Sequence, residues 1–258
     1  MSDALRVALV GNPNCGKTSL FNHLTGTRQK VANYAGVTVE RKVGHFQLPS
    51  GRNVRVLDLP GTYSLQATSP DEEITRDVCE GKIAEEGQQD AFLCVVDATN
   101  LKLHLGLVLE IIELGRPILV VLNMMDEARR RGIQINTQKL SERLGVPVVE
   151  TVAVRNSGIE NLLHALDQQK YTVPHTELSG LTGEHHQKIQ IIFKDVVNFV
   201  DQEDKRTDFL DKIFLHPVLG LLSLAVMMFI VFQAVFAWAA PFMDGIESLF
   251  GWLGTTLG

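Results

Sequence analysis

The strongest restriction on the fold of this chain comes from a short loop near its start, residues 11–18, which reads GNPNCGKT. A glycine, four residues and then Gly-Lys-Thr is the spacing of a phosphate-binding loop. The apolar run LRVALV precedes the loop at residues 5–10, and a helical pattern follows near 16–25, which is the context that the motif requires. The sequence therefore predicts that backbone N–H groups of this loop cradle phosphate oxygens.

Short apolar runs alternate with helical patterns along the first 168 residues. Their continuous hydrophobicity is typical of strands in a parallel sheet that is covered on both faces. The alternation predicts a doubly wound α/β domain, a P-loop fold with a mostly parallel sheet flanked by helices. One helix start is marked by Ser69 as the cap, Pro70 in the first turn and Glu72 as the capping-box partner. The predicted strands are 5–10, 54–59, 91–97, 117–123 and 146–151, and the predicted helices lie near 16–25, 70–83, 101–115, 136–144 and 158–168.

The strand signal stops after Gln169, so a GTPase-sized first domain is placed at residues 1–170. A connector rich in Pro, Gly and Thr leads into residues 184–203, where apolar side chains recur at helical spacing. This pattern predicts a helical spacer domain over residues 171–212. His185 and His186 at its start are interpreted as a solvated surface pair, and a metal site is the alternative.

Residues 218–240 carry no charge, and as a helix at about 1.5 Å per residue they reach roughly 35 Å. That length spans a hydrocarbon core of about 30 Å and predicts a transmembrane helix at about residues 217–241, a buried core helix being the alternative. Lys205, Arg206 and Lys212 precede the segment, and no Lys or Arg follows it in the sequence. The positive-inside rule therefore places residues 1–212 in the cytoplasm. Residues 213–258 are interpreted as the start of a membrane domain that belongs to a longer protein.

Charge and cysteine content limit the classes of partner. The net charge is −6, from 24 Lys and Arg against 30 Asp and Glu, which argues against a nucleic-acid partner. The cysteines Cys15, Cys79 and Cys94 are odd in number and widely separated, so reduced thiols are expected rather than a disulfide framework or a metal site.

Within the phosphate loop, Lys17 is expected to reach the β- and γ-phosphates and Thr18 to offer its hydroxyl to Mg²⁺. Cys15 is expected to contribute its backbone N–H rather than its sulfur. The remaining residues assigned to phosphate binding are Gly11, Asn12, Pro13, Asn14, Gly16 and Ser19.

Two further motifs follow predicted strands and select the nucleotide. Residues 58–61 read DLPG, where Asp58 can hold Mg²⁺ through water and the Gly61 N–H can sense the γ-phosphate, with Leu59 and Pro60 between them. Residues 123–126 read NMMD. The Asp126 carboxylate can accept hydrogen bonds from the N1–H and the 2-amino group of guanine, a donor pair that adenine lacks. The motifs therefore favour GTP and GDP as ligands.

Together the phosphate loop, D-x-x-G and N-x-x-D resemble the TRAFAC-class GTPases. Three segments narrow the resemblance to the N-terminal G domain of the FeoB family of bacterial ferrous-iron transporters: GNPNCGKTSLFNHLTG at 11–26, VANYAGVTVERKVG at 31–44 and DLPGTYSL at 58–65. The resemblance implies hydrolysis of GTP to GDP and phosphate, followed along the chain by a helical spacer and a permease in the bacterial inner membrane. It further implies Fe²⁺ as the transported substrate, the permease as partner, and small cytosolic regulatory proteins or a homo-oligomer as further partners.

The resemblance also assigns roles to two loops. Residues 36–40, GVTVE, correspond to the switch I motif, in which Gly36 and Val37 contact the nucleotide and Thr38 is a second protein ligand to Mg²⁺. Asn14, Lys17, Thr38 and Gly61 are the residues expected to act in hydrolysis. The base-contacting loop falls at Ala153, Val154 and Arg155.

The sequence departs from the general GTPase pattern at three places. Met124 stands where a lysine normally packs on the base, and residues 153–155 lack the usual Ser-Ala-Lys, so weak base holding and easy GDP release are expected. Thr62 stands where many signalling GTPases place the glutamine that orients the attacking water.

Hydrolysis in GTPases is helped by a positive charge between the β- and γ-phosphates, often that of an arginine finger, and Asn14 suggests that a bound cation supplies it here. The FeoB family resembles a group of GTPases, many activated by K⁺, that carry an asparagine at this place. Its side-chain carbonyl, with phosphate oxygens and backbone carbonyls of residues 31–36, would hold K⁺ where charge develops during hydrolysis. The alternative is that Asn14 only hydrogen-bonds switch I or the loop.

Two other functional classes stay open. A soluble regulatory GTPase of ribosome or RNA maturation is opposed by the acidic balance and by the charge-free segment 218–240. An ATP-using P-loop enzyme is opposed by Asp126.

Overall fold

The computed structural model describes residues 4–26, 29–34, 39–153, 157–173, 185–199, 214, 216–238, 243, 245–248, 250 and 252–253. The chain divides into two compact units, Met1–Asp201 and Gln202–Gly258.

The first unit contains all five predicted strands and all five predicted helices in the expected order. Its strands are β1 (Leu5–Gly11), β2 (Gln29–Asn33), β3 (Glu40–Gln47), β4 (Asn53–Asp58), β5 (Ala91–Asp97), β6 (Ile118–Asn123), β7 (Ile133–Ile135), β8 (Val148–Glu150) and β9 (Val197–Phe199). Its helices are α1 (Lys17–Thr25), α2 (Pro70–Glu80), α3 (Leu101–Glu113), α4 (Met125–Arg130), α5 (Thr137–Leu144), α6 (Ile159–Asp167) and α7 (His185–Val196). Strands β2, β3, β7 and β9 and helix α4 were not predicted.

Seven strands form one sheet in the order β2-β3-β4-β1-β5-β6-β8. Strands β4, β1, β5, β6 and β8 run parallel, whereas β2, β3 and β4 pair antiparallel at one side. The predicted mostly parallel sheet is therefore confirmed. Because parallel strands end at one edge, the register places Gly11 opposite Val95 and Asp97 opposite Asn123, and this edge collects the predicted motifs.

Helices cover both faces of the sheet. In β1, Val7 and Leu9 pack against the layer formed with α1 and α6, whereas Ala8 and Val10 pack against the layer that contains α2, α3, α4, α5 and α7. Residues Val7 to Val10 are all fully buried, which accounts for the continuous hydrophobic runs in the sequence.

The helix start predicted at Ser69 is confirmed. The Ser69 side chain accepts the N–H of Glu72, and Pro70 opens α2. The Glu72 carboxylate accepts the backbone N–H and the hydroxyl of Thr68, and these hydrogen bonds lower the pKa of Glu72.

The helix predicted over residues 184–203 is partly wrong. Helix α7 ends at Val196, and Val197–Phe199 forms β9, which pairs antiparallel with β7 so that Val197 lies opposite Ile135. A strand therefore does occur beyond Gln169. Pairing with a strand some 60 residues earlier overrides the local helical periodicity, because short-range propensity is a weak constraint against tertiary contacts.

The second unit contains a long apolar helix, α8 (Leu219–Gln233), which continues as a π-helical turn over Ala234–Trp238. The ring nitrogen Nδ1 of His216 accepts the N–H groups of Val218 and Leu219 and so satisfies the helix start. Residues Leu219–Phe236 have a mean hydropathy of 2.4 and are long enough to cross a membrane.

Candidate nucleotide-binding site

The loop between β1 and α1 has the tight backbone that a phosphate loop needs. Asn14 and Gly16 both have positive φ, at 64° and 86°. A Cβ atom on Gly16 would lie 2.2 Å from Nδ2 of Asn123, so that position requires glycine for backbone conformation and for space. The loop is therefore fixed by its own backbone turn and by its contact with Asn123 at the end of β6.

Lys17 and Asp58 join the first two motifs directly. Lys17 opens α1 and Asp58 ends β4, and the distance from Nζ to Oδ1 is 2.6 Å. Both side chains are almost fully buried, so each charge compensates the other where water is excluded. They line a cleft of about 320 Å³ together with Thr18 and Pro60.

A second cleft of about 550 Å³ lies over the loop itself. It brings together most of the residues assigned to phosphate binding with Gly61 from the D-x-x-G motif and Met124 from the N-x-x-D motif. Its lining residues are Asn12, Pro13, Asn14, Gly16, Lys17, Thr18, Ser19, Gly61 and Met124.

Asn123 joins the phosphate loop to the segment that follows β8. Its Nδ2 donates to the Cys15 carbonyl at 3.0 Å, and its Oδ1 accepts the Ala153 N–H at 3.0 Å and the Thr151 hydroxyl at 3.3 Å. Asn123 and Thr151 are buried, so these bonds form away from solvent. The motif sequence indicated Asn123, but Thr151 was not predicted, because nothing in its immediate sequence marks it as a partner.

Asp126 lies in the first turn of α4, directly after this bridge. Met124 has a positive φ of 60° and caps that helix. Asn123, before the turn at Met124, is buried, whereas Asp126, after it, is partly exposed. The two polar side chains of the N-x-x-D motif therefore differ in their access to solvent.

The D-x-x-G segment contacts the phosphate loop through its backbone. The Thr62 N–H donates to the Gly11 carbonyl at 3.2 Å, and a Cβ on Gly61 would lie 3.2 Å from Cα of Pro13. The Thr62 side chain is fully buried, and its hydroxyl donates to the Ser64 carbonyl at 2.5 Å. Its hydroxyl is thus turned into the protein and bonded there.

Cys15 is fully buried behind the loop. Burial raises the pKa of its thiol to about 11, against the opposing effects of the Lys17 backbone N–H and charge. The thiol therefore stays protonated at neutral pH, which makes it a poor nucleophile.

Several predicted site residues lie outside the described residues: Gly36, Val37 and Thr38 of switch I, and Val154 and Arg155 of the base-contacting loop. Their roles stay predictions.

The two predicted surface histidines have polar partners. Nε2 of His185 lies 2.7 Å from Oε1 of Glu113, and His186 lies within hydrogen-bond distance of Gln190. Within the described residues, no group of three or more His, Cys, Asp and Glu side chains is placed to hold a metal ion.

Sequence reasoning also missed Glu110, whose carboxylate accepts hydrogen bonds from the segment after Gly61. The signal available was a single charged residue inside the apolar run 105–112 of α3.

The sheet order, the loop after β1 and the motifs at the ends of β4 and β6 define a P-loop GTPase. The family described as Ferrous iron transport protein B matches residues 5–166 of the chain. The chain therefore belongs to the FeoB family and contains its N-terminal G domain.

Individual relatives agree with this assignment. The Fe(2+) transporter FeoB of Escherichia coli (strain K12) is 48% identical over 166 residues, which are 64% of this chain and 21% of that protein. The cytosolic domain of L. pneumophila FeoB has a TM-score of 0.67 at 34% identity and covers 75% of this chain and 99% of that one. The cytosolic domain of T. maritima FeoB in its GMPPNP form has a TM-score of 0.66 at 29% identity, with 75% and 99% covered. The chain thus spans about a fifth of the length of the curated relative.

Proposed function

We propose that this chain binds GTP and hydrolyses it to GDP and phosphate, as the cytoplasmic G domain of a bacterial ferrous-iron transporter. The observation that carries the proposal is that the three motifs contact one another at one edge of the sheet. Lys17 of the phosphate loop pairs with Asp58, and Asn123 donates a hydrogen bond to the Cys15 carbonyl of the same loop. Membership of the FeoB family supports it, as does the T. maritima relative in its GMPPNP form.

The phosphate groups would lie over the loop at residues 11–19. Its backbone N–H groups and the start of α1 supply donors, and the Lys17 ammonium supplies a positive charge. Gly61 lies close to Pro13, and its N–H would meet the γ-phosphate.

Mg²⁺ fits the donors present at this edge. The Thr18 hydroxyl and the Asp58 carboxylate line the same cleft, and hard oxygen ligands of this kind suit Mg²⁺. Thr38 is proposed as a further ligand on the family resemblance alone. When bound, the ion would neutralise charge on the β- and γ-phosphate oxygens. The Lys17 ammonium balances the negative charge of the buried Asp58 carboxylate.

K⁺ fits a neutral oxygen donor at Asn14. The residue is exposed on the loop and lines the larger cleft, so its side-chain carbonyl can face a ligand there. Backbone carbonyls of residues 31–34, in the proposed switch I region, would supply further ligands. When bound, the ion would supply positive charge between the β- and γ-phosphates, the role of an arginine finger elsewhere.

The guanine base would be selected by Asp126. Met124 lines the cleft at the position where GTPases usually have a lysine. The base would therefore lack the packing contact of the longer lysine side chain. Ala153, fixed by its N–H to Asn123, begins the base-contacting loop that continues through Val154 and Arg155.

GTP binding would order switch I (31–40) and switch II (58–75), and hydrolysis would release them. We further propose a division into the G domain (1–170), the helical spacer (171–212) and the start of the membrane domain (213–258). Residues 1–212 would lie on the cytoplasmic side of the inner membrane. Fe²⁺ would be the substrate of the permease that follows in the relatives, with small cytosolic regulatory proteins and a homo-oligomer as further partners.

The apolar segment Leu219–Phe236, which begins with helix α8, is long enough to span a membrane. It therefore disfavours the alternative of a soluble regulatory GTPase. Family membership disfavours it further, because the relative named above is a transporter.

Replacing Asp126 tests the nucleotide assignment. Asp126→Asn exchanges an acceptor for a donor that faces the guanine N1–H and 2-amino group. Loss of charged hydrogen bonds worth about 1.5–3 kcal/mol should weaken GDP binding roughly ten- to a hundredfold. XDP, which has an acceptor in place of the 2-amino group, should recover part of the binding. Titration of both proteins with labelled GDP and XDP measures this, and an unchanged GDP affinity would refute the assignment.

A further inference from the structure

One carboxylate of helix α3 holds the segment that follows Gly61. Glu110 accepts the Ser64 hydroxyl at 2.8 Å on Oε1 and at 3.0 Å on Oε2, and Oε2 also accepts the backbone N–H of Leu65. Glu110 is half-buried on a helix whose neighbouring residues Leu109 and Ile111 are fully buried. The carboxylate therefore projects from a rigid part of the core.

The other end of the same segment is held by the phosphate loop. The Thr62 N–H donates to the Gly11 carbonyl at 3.2 Å, and the Thr62 hydroxyl donates to the Ser64 carbonyl at 2.5 Å. Tyr63, which lies between the two anchors, is 52% exposed. Gly61 thus begins a short segment with one end on β1 and the other on α3.

A carboxylate is well suited to the second anchor. An ionised acceptor makes shorter and stronger hydrogen bonds than a neutral one, and its two oxygens here accept from both a side chain and the backbone. An anchor that uses a backbone N–H fixes the course of the main chain itself. The Thr62 hydroxyl also donates to the Ser64 carbonyl, so the two anchors are linked. Loss of the Glu110 anchor would leave the segment that Gly61 begins held only at Gly11.

We propose that Glu110 is a positioning residue for GTP hydrolysis: by fixing Ser64 and Leu65 it holds the Gly61 N–H where the γ-phosphate is sensed. This inference rests on the proposed function. It adds to the nucleotide motifs a residue from α3, an element that those motifs do not include.

The kinetic test uses the 258-residue chain in detergent and replaces Glu110 with alanine. Turnover should fall about tenfold, the equivalent of one charge-assisted hydrogen bond, while the KM for GTP stays within about twofold, because the phosphate and base contacts are untouched. Glu110→Gln keeps one acceptor oxygen and should stay within about threefold of wild type. A fall in turnover accompanied by an equal loss of GTP affinity would overturn the positioning role.

Glu113→Ala is the matched control on the same helix. Glu113 lies one turn beyond Glu110 and contacts His185 at 2.7 Å and Lys188 at 3.6 Å, on the side of α7. Its removal takes a carboxylate from α3 without touching the Ser64 segment, so turnover should stay within about twofold. An equal fall in both alanine variants would show general damage to α3 and overturn the proposal.

Hydrogen exchange without nucleotide tests the anchor independently of turnover. Peptides that span residues 61–67 should exchange faster in Glu110→Ala, because Leu65 has lost its acceptor, and at the wild-type rate in Glu113→Ala. Unchanged exchange in Glu110→Ala would show that the anchor does not hold the segment. Faster exchange with wild-type turnover would show that the anchor does not position Gly61. An absence of GTP hydrolysis in wild type would instead refute the proposed function, and the exchange result would still decide the anchor.

Discussion

At the residue scale, the buried pair of Lys17 and Asp58 determines which substitutions give readable results. Removing one partner of such a pair leaves an uncompensated buried charge, at a cost of about 3–5 kcal/mol in folding free energy. A Lys17 variant would therefore combine lost stability with lost phosphate binding. Asn14 and Asp126 lie in more accessible positions, so their substitutions report on ligands with less effect on folding.

Asn14→Ala tests the proposed cation. The change removes one neutral oxygen ligand and leaves Lys17, Thr18 and the loop N–H groups in place, so nucleotide affinity should change little. Wild type should hydrolyse GTP faster in K⁺ than in Na⁺, by less than the roughly 10³- to 10⁵-fold effect of an arginine finger. The stimulation by K⁺ should largely disappear in Asn14→Ala.

Single-turnover hydrolysis in KCl and in NaCl at equal ionic strength measures this difference. Equal wild-type rates in the two salts would mean that there is no K⁺ site. A K⁺ response that survives in Asn14→Ala would mean that the site exists but uses other ligands.

At the element scale, helix α7 is part of the core of the first unit. Ile192 of α7 is fully buried and belongs to the cluster that includes Leu105 and Val108 of α3. Lys139 of α5 lies 3.0 Å from Asp195, so a second helix contacts α7 through an ion pair. The β7–β9 pairing then fixes the end of α7 beside the segment that follows α4.

Ile192→Ala should destabilise this unit. A buried isoleucine replaced by alanine costs about 2–5 kcal/mol, which lowers Tm by about 2–4 °C per kcal/mol in a unit of this size. The neighbouring Ile191 is 44% exposed. Ile191→Ala is therefore the matched control and should change stability by no more than about 0.5 kcal/mol. Thermal unfolding followed by circular dichroism checks both, and equal shifts would contradict the packing of α7 on α3.

The elements that the sequence predicted are those with a strong local signal. Strands β1, β5 and β6 are buried on both faces, and their uninterrupted apolar residues identify them. Strand β3 was not predicted, because it lies near the edge of the sheet and carries the charged residues Glu40, Arg41 and Lys42. Strands β7 and β9 have three residues each and exist through their mutual pairing, which no local pattern reveals.

The same holds for the site: its sequence motifs were predicted, whereas its contacts between residues far apart in the chain were not. The motif residues were predicted because their spacing is local, and the sheet register then brings them together. The anchor at Glu110 links residues 45 and 46 positions apart, and the Asn123–Ala153 bond spans 30, so neither is visible in a local pattern.

At the scale of the whole molecule, attachment to a membrane should depend on residues beyond Lys212. A chain that ends near Asp211 should be soluble without detergent and keep GTP binding, because it retains the nucleotide motifs and α7. The full chain should need detergent, because the side chains of Leu219–Phe236 are uncharged, mostly apolar and unburied within their unit. Extraction and size-exclusion chromatography of both chains measure this, and a detergent-free monomer of the full chain would contradict a membrane span.

The most direct measurement is single-turnover hydrolysis of GTP and of ATP by the full chain in detergent with Mg²⁺ and K⁺. GTP should be converted to GDP and phosphate, and ATP should react at least about tenfold more slowly, because adenine lacks the donor pair for Asp126. Asp126→Asn should lose GTP turnover at low nucleotide and gain XTP turnover, a change that a contaminating enzyme would not show. Equal rates for GTP and ATP, or GTP turnover unaffected by Asp126→Asn, would contradict the account.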